Sequence, residues 1–306
     1  MNPAPYRGRL APSPTGKLHL GIARTSLVAW LAARAQRGAL VLRIEDLDPP
    51  RVVAGAEASI MEDLRWLGLD WDEGPDRGGP FGPYRQSERT ALYEAALERL
   101  ARSGLLFPCT CSRAEVLAAS SAPHGDLGPR YPGTCRNGVA HGGRPESLRF
   151  RMQAGEAWND RLQGAQIASE PDDFVVRRAD GPFAYQLAVV VDDIAMGITE
   201  VVRGADLLLA TQRQLALYHA LGAAPPAFLH VPLVLGPDRA RLAKRHASTA
   251  IAELRAAGTA PERVVGRLAA SLGLARDGEL LRPGDLVERF EVTKLPTEPA
   301  ALSPVA

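Results

Sequence analysis

Residues 7–48 constrain this chain more than any other stretch. Arg7 to Ser13 reads as a short strand, and it has to stop at Pro12-Ser13-Pro14-Thr15-Gly16 because a proline lacks the N–H that a sheet ladder needs. After His19-Leu20-Gly21 the apolar residues Leu27, Val28, Leu31 and Ala35 recur at helical spacing as far as Gly38, which the pattern predicts as the residue just past the helix end. Ala39 to Ile44 then reads as a buried strand that delivers Glu45, Asp46 and Asp48 to its C-terminal end. Strand, loop, helix and strand in this order form the unit from which parallel α/β sheets are built. The loop also bears on chemistry: between a strand and a helix it leaves backbone N–H groups, and the positive end of the helix dipole, where a phosphate could sit. His19-Leu20-Gly21-Ile22 occupies that place, although the same residues could simply cap the helix.

Farther along, residues 54–67 and 84–102 are predicted as amphipathic helices joined by a Gly/Pro-rich loop, and Ser112-Arg113-Ala114-Glu115 has the spacing of a capping box. From Ser120 to Arg144 the chain turns rich in glycine, proline and polar residues, which marks an insertion. Residues 148–152, 166–168 and 174–177 alternate like strands, with Ala179-Asp180-Gly181 as a hairpin turn. Helical spacing resumes over 185–194, a strand is predicted at 198–202, a long helix at 206–221, and an apolar strand at 230–235. A second α/β half therefore follows the irregular middle, and Thr259-Ala260-Pro261-Glu262 starts a short helical tail.

With 306 residues, 46% of them hydrophobic and 23% charged, the chain can bury a large core, which excludes a disordered, collagen-like or disulfide-dense protein. No run approaches the roughly 18 to 20 apolar residues of a membrane span, and Met1 to Tyr6 lacks the features of a signal peptide, so a soluble cytoplasmic protein is expected. No heptad pattern or apolar tail suggests self-association, and a monomer is expected. A formal charge of +1 means that any nucleic-acid surface must come from segregated arginines. Lysines are only Lys17, Lys244 and Lys294, within a Lys+Arg total of 36. One of them lies in Arg241-Leu242-Ala243-Lys244-Arg245, a basic loop that could clamp a triphosphate or could be a solvated patch. Cys109, Cys111 and Cys135 fall within one short stretch, which suggests a metal or three unpaired thiols rather than disulfides.

Four motifs occur in order: Ala11-Pro12-Ser13-Pro14-Thr15-Gly16 with His19-Leu20-Gly21, then Arg43-Ile44-Glu45-Asp46-Leu47-Asp48, then Val202-Arg203-Gly204-Ala205-Asp206-Leu207, then the Lys244 loop. Over about residues 7–245 this resembles the catalytic domain of class I glutamyl-tRNA synthetases. Two departures stand out: Ile22 replaces the second histidine of the His-Ile-Gly-His signature, and Ala243 replaces the serine of the lysine loop. The resemblance implies a doubly wound, Rossmann-like parallel sheet and a ligase that forms an aminoacyl ester. It implies that His19, Gly21 and Lys244 bind ATP, with His19 and Lys244 catalytic, and that Arg9, Ser13, Glu45, Tyr185 and Arg203 bind L-glutamate. Glu45 would hold the α-amino group, and Arg9 and Arg203 the carboxylates. A family pattern of Cys-x-Cys followed by Tyr-x-x-x-Cys implies one structural zinc ion on Cys109, Cys111, Tyr131 and Cys135; His124 is the other nearby donor.

The expected organisation is a first catalytic half at 1–107, a zinc-stabilised insertion at 108–178, a second half at 179–247 and a helical remnant at 248–306. A full glutamyl-tRNA synthetase carries a large anticodon-binding part after the lysine loop, and residues 246–306 are too few for a domain of about 100 to 150 residues. This size resembles that of a shortened branch of the family, and the resemblance implies activation of glutamate with ATP and Mg²⁺ without tRNA and its transfer to queuosine in the anticodon of tRNA(Asp). Arg130, Arg136, Arg149 and Arg151 are candidates for phosphate contacts in that tRNA. A truncated enzyme that esterifies the tRNA 3′ end, and a non-catalytic glutamate or nucleotide sensor, are the competing readings.

Overall fold

The computed structural model describes residues 5–119, 130–235 and 250–302. Strand β1 (Arg7–Leu10) pairs in parallel with β2 (Ala39–Leu42) across helix α1 (Leu20–Ala35), as the opening unit requires. Helices α2 (Ala56–Trp66) and α3 (Thr90–Arg102) follow. The inserted part holds β3 (Leu106–Cys109), the short helix α4 (Arg113–Ala119), β4 (Ser147–Phe150), β5 (Trp158–Asp160), β6 (Gly164–Gln166) and β7 (Phe174–Arg177). The second half contains α5 (Tyr185–Ala195), β8 (Glu200–Gly204), α6 (Thr211–Ala220), β9 (Ala227–Val231) and β10 (Val234–Leu235). Helices α7 (Ile251–Ala256) and α8 (Pro261–Ser271) and the edge strand β11 (Ala300–Ala301) close the described chain.

Strands β6, β5, β9 and β8 form one sheet, with β8 and β9 parallel. It meets the β1–β2 pair at Arg7 and Thr199: the Thr199 amide donates to the Arg7 carbonyl at 2.9 Å, and the Arg7 amide to Thr199 Oγ1 at 2.8 Å. Alternation along the strands sorts side chains to two faces. Leu40, Leu42, Val202, Leu229 and Val231 join a core with α1, α2 and α8, whereas Val41, Val201 and Phe228 join another with α3, α5 and α6. Helices thus cover both faces of a parallel sheet, and its switch point lies where β1 meets β8.

Several expectations shift for identifiable reasons. The left-handed residue after α1 is Arg37 (φ 51°), not Gly38; a Cβ on Gly38 would lie 2.5 Å from the Tyr6 carbonyl oxygen, so close approach explains that glycine. The helix expected from residue 84 starts at Thr90, because Tyr84 and Gln86 exchange backbone bonds with Ile44. The helix expected from 206 is broken before Thr211: the Leu207 carbonyl is taken by Arg203 Nη2 and the Thr211 hydroxyl, while the Thr211 amide turns to Leu208. The Ser112/Glu115 capping box forms as read.

The inserted residues do not all stay apart. β3, β4 and β7 make a separate antiparallel sheet, with a small core of Phe107, Cys109, Val116, Tyr131 and Cys135, but β5 and β6 extend the main sheet beside β9. The C-terminal helices pack into the first core through Val264, Val265, Leu268 and Leu272.

Candidate active site

A cavity of about 790 Å³ opens at the C-terminal ends of β1 and β8, above the start of α1. Arg9, Ser13, His19, Gly21, Glu45, Tyr185 and Arg203 all line it; they come from five different stretches of chain. Lys244 lies outside the described residues. The segment that carries it resumes at Ala250, which bridges to His19, and the Ile251 amide donates to the Leu18 carbonyl at 2.8 Å.

His19 stands at the N-cap of α1 without a side-chain bond to the helix N–H groups, so it is not there to cap. The first amides of α1 have no intrahelical acceptor, as at any helix start, and are turned toward the cavity end of the helix. A Cβ on Gly21 would meet nothing within 4 Å, which keeps this wall open to a flat or bulky group. Ile22, 50% exposed, puts an apolar surface beside it.

Other lining residues are charged. Arg9 is buried; its Nη1 donates to the Val202 carbonyl at 2.6 Å, Asp193 lies 3.9 Å from Nε, and Nε has no hydrogen-bond partner among the described residues. Arg203 is also buried, and its partners are neutral: Nε donates to His230 Nε2 at 2.9 Å, Nη1 to Gln214 Oε1 at 2.7 Å, and Nη2 to Thr211 Oγ1 at 2.9 Å. No carboxylate pairs with this guanidinium among the described residues, so a buried cation is left facing the cavity, an arrangement that favours an anionic ligand. Glu45 lines the same cavity. Burial pushes its carboxyl up, against the pull of Arg43 and Arg9, and Arg43 Nη2 holds its Oε1 at 3.0 Å. Arg43 is fixed in turn by Asp193 at 2.6 Å. Arg51 and Asp206 also line the cavity; with Arg9, Arg203, Glu45 and Tyr185 in its walls it can seat a dicarboxylic amino acid by both ends.

Residues behind these walls were not foreseen. His230 and Asp160 are buried in the sheet, with His230 Nδ1 2.6 Å from Asp160 Oδ2. Burial, helped by the charges of Arg203 and Arg9, lowers the imidazole to about 4 although Asp160 pulls the other way. His230 is therefore neutral near pH 7. The unfolded chain takes up this proton near pH 6.5 and the folded chain only near pH 4, so stability falls as pH drops through that window. The slope from this one group approaches about 1.4 kcal/mol per pH unit. Urea unfolding between pH 7 and 4.5 is expected to show this loss, and to show it reduced in His230→Gln; equal slopes in the two proteins would refute the assignment.

Cys109, Cys111 and Cys135 gather away from the cavity, with their sulfur atoms within 4.8 Å of one another. Cys111 and Cys135 are 3.6 Å apart, and the Tyr131 hydroxyl lies 3.4 Å from Cys109 Sγ and 3.9 Å from Cys111 Sγ. These separations match the edges of a tetrahedron around an ion with metal–sulfur bonds of about 2.3 Å. The donor set fits a structural zinc ion. His141, the described histidine nearest in sequence, instead directs Nε2 toward Glu115 at 3.6 Å; His124 lies outside the described residues.

The model of the family described as tRNA synthetases class I (E and Q), catalytic domain, matches residues 6–303. The chain belongs to this family and is a ligase of its type. Within the family it is similar along nearly its whole length to proteins named glutamyl-Q tRNA(Asp) synthetase: that of Symbiobacterium thermophilum is 53% identical over 96% of this chain and 95% of its own. A glutamate–tRNA ligase of Anaeromyxobacter dehalogenans is 46% identical over 94% of this chain but only 61% of its own length. Among solved structures, a glutamate tRNA ligase from Elizabethkingia meningosepticum in complex with its amino acid superposes with a TM-score of 0.85 at 30% identity, covering 98% of this chain and 67% of that one. No helix among the described residues is long and apolar enough to cross a membrane.

Proposed function

We propose that this protein activates L-glutamate with ATP, without tRNA, and transfers it to queuosine in the anticodon of tRNA(Asp). The observation that carries the glutamate part is the buried Arg203 guanidinium with neutral partners only, which lines the same cavity as the carboxylate of Glu45. Arg203 and Arg9 would receive the carboxylates, Glu45 the ammonium, and Ser13 and Tyr185 would orient the chain of the substrate. The likeness to whole-length relatives bearing the glutamyl-Q name supports the acceptor.

In the first step an oxygen of the α-carboxylate attacks the α-phosphorus of ATP, and pyrophosphate leaves. ATP enters as its Mg²⁺ complex. The amides at the start of α1, His19 and Lys244 oppose the charge that builds on the phosphates. No side-chain nucleophile is needed, since holding the carboxylate in line suffices. In the second step a hydroxyl of the cyclopentenediol of queuosine attacks the glutamyl carbonyl, AMP departs with the bonding pair, and the hydroxyl proton is released. A zinc ion on Cys109, Cys111, Tyr131 and Cys135 would hold the inserted sheet together and take no part in the chemistry. Arg130, Arg136, Arg149 and Arg151 would be available to the tRNA only in part. Arg149 is stacked on Tyr131, and Arg151 lies over Phe107 with Nη2 donating to the Arg136 carbonyl. The protein would act as a monomer in the cytoplasm.

The test incubates the protein with radiolabelled glutamate, ATP, Mg²⁺ and tRNA from cells that make queuosine or cannot. Nuclease digestion then locates the label. Label in an anticodon fragment of the queuosine-containing pool alone is the expected result. Label on the terminal adenosine of both pools would make this a small conventional aminoacylating enzyme, and no label in either would favour a sensor.

A further inference from the structure

Arg203 is held by an unusual partner. A guanidinium has five N–H bonds, and four of those on Arg203 run to His230, Gln214, Thr211 and the Leu207 carbonyl. Its Nε–H can be accepted by His230 only if the imidazole carries its proton on Nδ1. Were the proton on Nε2, two donors would face each other at 2.9 Å. Asp160 decides between these states. Its Oδ1 is occupied by three backbone amides, those of Leu162 at 2.9 Å, Gln163 at 2.8 Å and His230 at 3.2 Å. The carboxylate therefore cannot turn, and Oδ2 is aimed at His230 Nδ1 at 2.6 Å. All three side chains are at least 95% buried, so water does not offer a substitute partner.

We propose that Asp160 and His230 are positioning residues for the substrate: Asp160 fixes the tautomer of His230, and His230 fixes the plane in which Arg203 presents its remaining N–H to a carboxylate. The arrangement also explains why the negative charge stands one imidazole away. A carboxylate bonded directly to Arg203 would neutralise it and compete with the ligand; at one remove it orients the guanidinium and leaves its charge for the substrate. This inference rests on the reading that Arg203 binds glutamate.

Three variants test it by glutamate-dependent ATP–pyrophosphate exchange. In Asp160→Asn the three amides select the amide oxygen for the Oδ1 place, so the NH₂ group meets His230 Nδ1, moves the imidazole proton to Nε2 and pushes Arg203 aside. His230→Asn can still meet Asp160 but leaves Arg203 Nε without an acceptor. His230→Gln places an oxygen near the Nε2 position. Asp160→Asn and His230→Asn are expected to raise KM for glutamate about tenfold or more while KM for ATP stays within about twofold, and His230→Gln to recover most of the loss. A merely structural role would lower the melting temperature of all three and leave the glutamate KM unmoved, or change both KM values alike, and either result overturns the proposal. Arg203→Ala in the same assay separates the two layers. If it raises the glutamate KM and the Asp160 and His230 variants do not, the relay is wrong; if it does not, the glutamate reading of Arg203 is wrong and the relay falls with it.

Discussion

Replacing Arg203 by alanine is expected to lower glutamate-dependent pyrophosphate exchange about thirtyfold or more, since truncating one side of a buried, hydrogen-bonded charge pair costs about 2 to 5 kcal/mol and each 1.4 kcal/mol is tenfold. The effect should fall on glutamate and spare ATP, because Arg203 sits at the end of β8, whereas the residues proposed for the nucleotide, His19 and Gly21, lie at the start of α1. The fold should survive. The substitution removes a buried cation whose partners are neutral, so no unpaired carboxylate is left behind. Glutamine should be no better a substrate for the variant, since what is lost is the cation and not a steric wall. Exchange within about threefold of the parent protein, at subsaturating glutamate, would sink the assignment of Arg203 to the substrate carboxylate.

Losing the metal is the second large expected effect. Around the three cysteines the core consists of Phe107, Cys109, Val116, Tyr131 and Cys135, too small to hold that end of the insertion by burial alone, whereas Phe150, Phe174 and Val176 tie β4 and β7 to the second main core. Zinc bound by thiolates contributes about 10 to 16 kcal/mol in small domains that fold around it. The thiols are prepared unequally. Burial opposes the Cys135 thiolate, but the amides of Ala140 and Thr110 and the Tyr131 hydroxyl bring it down to about 6, whereas burial and the neighbouring sulfurs push Cys111 up to about 11. An arriving dication would reverse that second trend. Purified protein is expected to carry about one zinc per chain by mass spectrometry under non-denaturing conditions. Cys135→Ser should lose it, with amide protection falling around Cys109, Cys111, α4 and Cys135, while β4 and β7, anchored in the second core, and β1, β2, β8 and β9 stay protected. A zinc-free parent protein with a fully protected insertion would refute the reading.

Much of the site was legible because its residues sit in local motifs. The prolines after β1, the glycine at 21, the acidic end of β2 and the arginine closing β8 each mark a strand end, and the strand ends of a parallel sheet converge. What stayed hidden has no local mark. Asp160 lies in a three-residue strand within a stretch that reads as irregular, and His230 is one histidine in an apolar run; only the pairing of β5 with β9 brings them together. Arg43 was read as part of a strand end, and its service to Glu45 depends on Asp193 from a helix far along the chain. The broken helix before Thr211 escaped for the same reason, since a side chain from β8 captures the carbonyl that would have continued it.

The joint between the two halves of the sheet carries a consequence of its own. Where β1 meets β8, among the described residues, the Thr199 amide donates to the Arg7 carbonyl and the Arg7 amide to the Thr199 hydroxyl, and guanidinium groups from the first half complete the seam: Arg7 to the Met196 carbonyl, Arg9 to the Val202 carbonyl, Arg43 to Asp193. The amino acid would lie across this same line, with its ammonium on Glu45 from one half and a carboxylate on Arg203 from the other. The substrate would then act as a rivet, fastening the halves most firmly at the moment when the reacting carboxylate must be held still.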